Sequence, residues 1–99
     1  MKAILRIEHP VNDFNRWREA FESDPVGRER GGVRRYRIMR AGDDPNRVLI
    51  DLEFDAPERA SEFLARLREL WDRVEVMRDP HAQLVELVEE RSLPAPSPA

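Results

Sequence analysis

Residues 33–54 read VRRYRIMRAGDDPNRVLIDLEF, and this stretch decides the fold. Both ends alternate apolar and polar residues with period two, the pattern of a strand buried on one face. Gly42, Asp43, Asp44, Pro45 and Asn46 between them supply turn chemistry. The two arms are therefore expected to pair as a β-hairpin. Setting Arg40 opposite Val48 puts Tyr36 beside Leu52 and Ile38 beside Ile50 on one face, with Arg35 beside Glu53 and Arg37 beside Asp51 on the other. A slip of one residue would set Arg35 against Leu52 and Arg37 against Ile50, forfeiting opposite-charge pairs worth roughly 0.2 to 1 kcal/mol each. The ribbon is thus amphipathic. Tyr36, Ile38, Val48, Ile50, Leu52 and Phe54 seek helices, while Arg35, Arg37, Met39, Leu49, Asp51 and Glu53 face away.

Upstream, Lys2 to Glu8 alternates Ala3, Leu5 and Ile7 against Ile4, Arg6 and Glu8, which predicts a first strand ending at His9-Pro10. Asn12 or Asp13 can cap a helix that carries Phe14, Trp17, Ala20 and Phe21 at helical spacing. Asp24-Pro25 stops that helix, and Gly27, Gly31 and Gly32 make the following loop permissive.

Downstream, Asp55 with Glu58 has the spacing of a capping box, and Pro57 stands in the first turn, where its missing N–H is harmless. A second helix follows, with Ala60, Phe63, Leu64, Leu67, Leu70, Trp71 and Val74 on one stripe and the pairs Glu62/Arg66 and Glu69/Arg73 on its wet side. The stripe can extend to Met77, with a break expected near Asp72, and Asp79-Pro80 ends it. Gln83 to Glu90 then reads as a last strand. Ser92 to Ala99, with three prolines and no periodicity, reads as a disordered tail behind a domain of residues 1–91.

The order βαββαβ is the split-βαβ arrangement: an α+β, ferredoxin-like fold with one four-stranded antiparallel sheet and both helices on one face. The other face is left bare and mixes charge pairs with Ile4, Met39 and Leu49, to which the last strand adds Val85 and Leu87. A second copy of the chain is the expected cover, giving a homodimer through that face.

Ninety-nine residues make one domain. Charged residues are 37% of the chain yet nearly balanced at a net −3, so no bulk field attracts nucleic acid or an acidic membrane surface. The absence of cysteine excludes disulfides and thiol catalysis. No apolar run approaches membrane-spanning length, and Met1 leads directly into a strand, so no signal peptide is read and a cytoplasmic location is expected.

The turn Asp43-Asp44-Pro45-Asn46, the strand Val48-Leu49-Ile50-Asp51-Leu52-Glu53-Phe54 after it, then Pro57 and the Ala60/Phe63 start of the second helix resemble the dimeric α/β-barrel superfamily. This is the group of small ferredoxin-like proteins that includes antibiotic-biosynthesis monooxygenases and polyketide cyclase-like proteins. The resemblance covers roughly residues 2 to 90 as an order of elements. It implies two sheets packed face to face as a barrel and a ligand pocket between sheet and helices, on the Tyr36 side.

Within that frame, Trp17, Tyr36, Phe63 and Trp71 are the candidate ligand-binding residues, and Tyr36, His9 and His81 the candidate catalytic groups. Tyr36 carries the only phenol in the chain, and the two histidines, the residue type suited to acid–base work near neutral pH, stand beside prolines at strand ends. The implied activity is a cofactor-independent monooxygenase- or cyclase-like reaction on an aromatic or polyketide-like substrate. The alternative is a non-catalytic ligand-binding or assembly module on the same scaffold.

No metal is expected, since there is no HxxxH, no HExxH and no carboxylate cluster at ligand spacing. Trp71 and His81 stand ten residues apart, a spacing similar to that in haem-degrading members of the superfamily. Two departures argue against haem: Asp79-Pro80 interrupts the helix before His81, and the first strand offers Arg6 and Glu8 where those relatives carry an asparagine. The arginines at 34, 35, 37, 40 and 47 are not read as a nucleic-acid surface, because Asp51 and Glu53 neutralise two of them and the far face lacks the exposed aromatics RNA binding needs.

Overall fold

The structure, a computed structural model, describes residues 2–73 and 80–96. Four strands, β1 (Ala3–Pro10), β2 (Val33–Ala41), β3 (Asp44–Phe54) and β4 (His81–Glu86), form one antiparallel sheet in the order β2-β3-β1-β4. Helices α1 (Phe14–Glu22) and α3 (Pro57–Arg73) pack on one face, and a single helical turn, α2 (Arg28–Gly31), interrupts the expected loop between α1 and β2. None of the described helices is long and apolar enough to cross a membrane.

The hairpin takes the expected register. Arg40 pairs with Val48, Ile38 with Ile50 and Tyr36 with Leu52, while Arg37 pairs with Asp51 and Arg35 with Glu53. The reversal itself is tighter than expected. Ala41 already pairs with Asp44, so Gly42 and Asp43 alone form the turn and a register shift after Arg40 absorbs Pro45, Asn46 and Arg47. Those three residues belong to β3 because β1 runs on to Pro10: Pro10 pairs with Arg47, and the Val11 N–H donates to the Asn46 carbonyl at 2.6 Å.

Asp13 is the cap of α1, its carboxylate accepting from the N–H groups of Asn15 and Arg16. The helix stops at Ser23. Asp24 then adopts a left-handed φ of 51°, which its side chain supports by accepting a 2.8 Å bond from the Arg28 N–H.

At α3 the expected capping box is not formed by Asp55. The Ala56 carbonyl accepts the first intrahelical bond, from Ala60, so Ala56 is the cap residue, Pro57 takes the first helical position, and Asp55 lies outside, 3.5 Å from Arg34. Arg73 Nε donates to the Glu69 carbonyl rather than to its carboxylate. The expectations for Val74, Met77 and Asp79 lie outside the described residues. β4 begins at His81, two residues before the strand read from sequence, because Ala82 and Leu84 join the helix-facing side opposite Ile7 and Leu5, and it ends at Glu86, four residues short of the expected Glu90, where the partners on β1 run out at Ala3.

The core is the helix-facing side of β1 and β3 against α1 and α3. Leu5, Val48 and Phe54 are wholly buried, and Phe54 meets Phe63 of α3 at a ring separation of 5.6 Å. The opposite face is closed by ion pairs. Arg6 grips Asp51 with two 2.8 Å bonds through Nε and Nη2, Arg37 adds a third at 3.2 Å, Lys2 lies 3.1 Å from Glu53, and Arg47 lies 2.6 Å from Glu8. Asp51 is 3% exposed, and its bond to Arg6 holds its carboxyl below the usual carboxylate range.

Asp51→Ala should lower stability by about 1–3 kcal/mol in urea unfolding at neutral pH, the scale of lost charge-assisted hydrogen bonds. The native carboxyl has the lower pKa, so its contribution is complete above the unfolded value of about 3.9 and disappears as pH falls through the native one. Wild type and variant should therefore converge in strong acid.

Candidate functional site

Between the sheet and the two long helices lies a cavity of about 330 Å³. Its floor is Ile7, Ile50 and Leu52 of the sheet, and α3 contributes Phe63, Leu67, Leu70 and Trp71. Trp17, Ala20 and Phe21 of α1 form the facing wall, and the segment from Ser23 to Arg28 closes the rim. The lining is overwhelmingly apolar, and the polar groups gather at the rim: Ser23, Asp24 and Arg28.

The wall is built by periodicity. Phe14, Trp17 and Phe21 are one helical turn apart, and their rings stack in a row, 5.8 Å and then 5.3 Å between centroids. Tyr36 continues the row edge-on to Phe21 at 5.2 Å.

On the far side, Gly31 of α2 touches the Phe63 ring so closely that a Cβ would overlap it. Only glycine allows this approach, which holds α2 against α3 and sets the position of Phe63 in the cavity wall.

Of the four residues expected to bind a ligand, Trp17, Phe63 and Trp71 border this cavity and Tyr36 does not. Tyr36 has the expected face of the sheet, but β2 is an edge strand. The phenol lies beyond the rim, 46% exposed, on a shallow groove shared with Glu29, Val33, Arg34 and Arg35, which adjoins the cavity at Asp24 and Arg28.

The three candidate catalytic groups are not brought together. His81 pairs with Glu8 on the outer face and is exposed. His9 faces the helices from β1 and is completely buried, with its ring 5.8 Å from that of Trp17, which separates it from the cavity. Trp71 and His81 accordingly stand on opposite sides of the sheet. Among the described residues no three His, Asp or Glu side chains are grouped as a metal site.

His9 has a defined state. Its Nδ1 lies 3.1 Å from the Pro10 carbonyl, which can only accept, so Nδ1 carries the proton and Nε2 is a bare acceptor, buried with no hydrogen-bond partner among the described residues. Burial pushes the imidazole below its ordinary range, more than the bond to Pro10 raises it.

Arg28 was not marked by any motif. It follows Gly27 in a stretch that reads as permissive loop, and the available signal is the length of the connection from Ser23 to Gly32, well beyond the usual median of about 4–6 residues.

Comparison with family models gives no match, and comparison with curated proteins gives none either. Solved structures do resemble the chain. SnoaB, a cofactor-independent oxygenase from Streptomyces nogalater, superposes with a TM-score of 0.72 at 12% identity over 90% of this chain and 95% of its own. A Nitrosomonas europaea protein described as a candidate antibiotic biosynthesis monooxygenase gives 0.64 at 14% identity, over 88% and 90% of the two chains. A dimeric ferredoxin-like protein from an uncultured marine organism gives 0.63 at 14%, over 91% and 96%. At such identities the likeness establishes the fold. The chain has the ferredoxin-like α+β architecture of the antibiotic-monooxygenase-like and dimeric ferredoxin-like proteins, as the hairpin and its neighbours led us to expect.

The native state of His9 binds its proton less readily than the unfolded chain. Stability should therefore be full above the unfolded pKa of about 6.5 and decline as pH falls towards the lower native value. Chemical unfolding at pH 7.5 and pH 5.5 should show this loss in wild type and a flatter profile in His9→Leu; equal slopes would mean that His9 binds its proton as readily in the native protein as in the unfolded chain.

Proposed function

We propose that this protein binds a small, largely apolar molecule in the cavity between its helices and its sheet. The observation that carries the reading is the cavity itself: Trp17, Phe63 and Trp71 line its wall instead of filling the space, and a volume of about 330 Å³ falls within the range of small-molecule sites. Flat rings against two indoles favour an aromatic or polyketide-like ligand. The likeness to SnoaB, a cofactor-independent oxygenase, supports a monooxygenase- or cyclase-like reaction on such a ligand. A second reading, binding without turnover, is favoured by one observation: Tyr36, His9 and His81 all stand off the cavity wall, leaving Ser23, Asp24 and Arg28 as its polar groups.

Titration with 2-naphthol should change the tryptophan fluorescence saturably, and Leu67→Trp, which fills the cavity from α3, should weaken binding at least about tenfold. A response that never saturates, or one untouched by the filling variant, removes the reading. Oxygen uptake with a bound phenolic compound, and no added flavin or metal, then separates the catalytic reading from the non-catalytic one.

The reading includes a homodimer through the outer face of the sheet. Ile4 is buried there, and Met39, Leu49 and Val85 are half-buried among the ion pairs, a surface suited to a second copy. The dimeric ferredoxin-like neighbour supports this assembly. Leu49→Asp should turn a dimer into a monomer in light scattering, whereas a monomeric wild type removes the assembly outright.

A further inference from the structure

We propose that Arg28 gives the cavity a preference for apolar molecules that carry a carboxylate, with the guanidinium binding that carboxylate at the rim. The proposal rests on the ligand-binding reading above and names the class of ligand.

Among the described lining residues Arg28 is the one cation, and its side chain is only 18% exposed. It is fixed from several sides before any ligand arrives. Nη1 donates to the Phe21 carbonyl at 2.6 Å, the guanidinium carbon lies 4.0 Å above the Phe21 ring, and the Tyr36 ring is 5.1 Å away. The backbone N–H of the same residue is held by Asp24. A planar group ordered in this way loses little further freedom on binding.

Its remaining donors are what point to a carboxylate. Among the described residues the guanidinium is engaged through Nη1 alone, with the Asp24 carboxylate 3.5 Å from that same nitrogen. Nε and Nη2 are left as an unclaimed pair. This is the edge that Arg6 presents to Asp51, where both bonds are 2.8 Å, so the chain already contains the geometry that a ligand carboxylate would adopt.

The neighbouring cations are committed elsewhere: Arg34 lies 3.5 Å from Asp55 and Arg35 lies 3.9 Å from Glu53. Because Asp24 offsets the charge of Arg28, the preference comes from two directed hydrogen bonds at the edge of an apolar chamber and not from a net field.

Two ligands of nearly equal size test this: 2-naphthoate and the neutral 2-naphthamide, titrated at pH 7.5 into wild type, Arg28→Met and Arg28→Lys. Wild type should bind the acid about tenfold more tightly than the amide, the scale of one charge-assisted contact. Arg28→Met should bring the ratio of acid to amide binding to about one, whatever its effect on both compounds together, and Arg28→Lys should restore part of the ratio. Equal binding of both compounds by wild type, or a preference that survives in Arg28→Met, overturns the proposal while the cavity reading stands. Binding of neither compound overturns both. The wild-type ratio is read without any variant, so poor folding of a mutant does not shield the idea.

Discussion

The carboxylate of Asp51 ties three strands together. It sits at the centre of β3 with Arg6 opposite it on β1 and Arg37 opposite it on β2, and it bonds both. Side chains alternate across a sheet, so fixing this one cross-strand row fixes the faces of the residues that share its continuous register, Leu5 to His9 on β1, Arg35 to Arg40 on β2 and Val48 to Glu53 on β3. Leu5, Ile7, Val48, Ile50 and Leu52 are turned to the helices because Arg6, Asp51 and Arg37 are turned away. Both arginines are more than half exposed, so they keep water on one side while enclosing the carboxylate, and burial of Asp51 is compensated by directed bonds.

The same alternation delivers His9 to the interior. A residue one place earlier or later on β1 would meet solvent, but His9 shares the parity of Leu5 and Ile7 and lies behind Trp17. Its cost is limited by staying neutral, with one nitrogen satisfied by Pro10. The cavity arises one layer away for a related reason. α1 places an aromatic row over the sheet, while Ala20 on the same wall is small and takes up little of the space beside it.

The hairpin register was legible because two independent patterns, apolar pairs on one face and opposite charges on the other, agreed on one alignment. The Asp13 cap and the sites of both long helices were legible from local chemistry. Other features depend on tertiary placement. Periodicity gives Tyr36 a face but not a lateral position, so its place on the edge strand, outside the cavity, was invisible. The span of β4 is displaced from the Gln83 to Glu90 pattern at both ends because HAQLVE alternates weakly and the strand is defined by pairing with β1, from Glu8 to Ala3. Trp17, Phe63 and Trp71 were readable as wall residues, yet whether they enclose a void depends on volumes contributed by both helices and the sheet. Arg28 was hidden by its glycine-rich surroundings, where the Asp24 carboxylate turns an apparent loop into a helical turn.

The contact between Gly31 and Phe63 gives the chamber one rigid wall and one adjustable one. Any side chain at position 31 would drive the phenyl ring inward, so that wall can be reshaped only by changing two residues in concert. Ala20, by contrast, is an exposed residue of the α1 wall and has room to vary singly. Descendants of this sequence can therefore reach new occupants by stepwise change along α1, whereas the α3 side is held fixed by the want of a single methyl group.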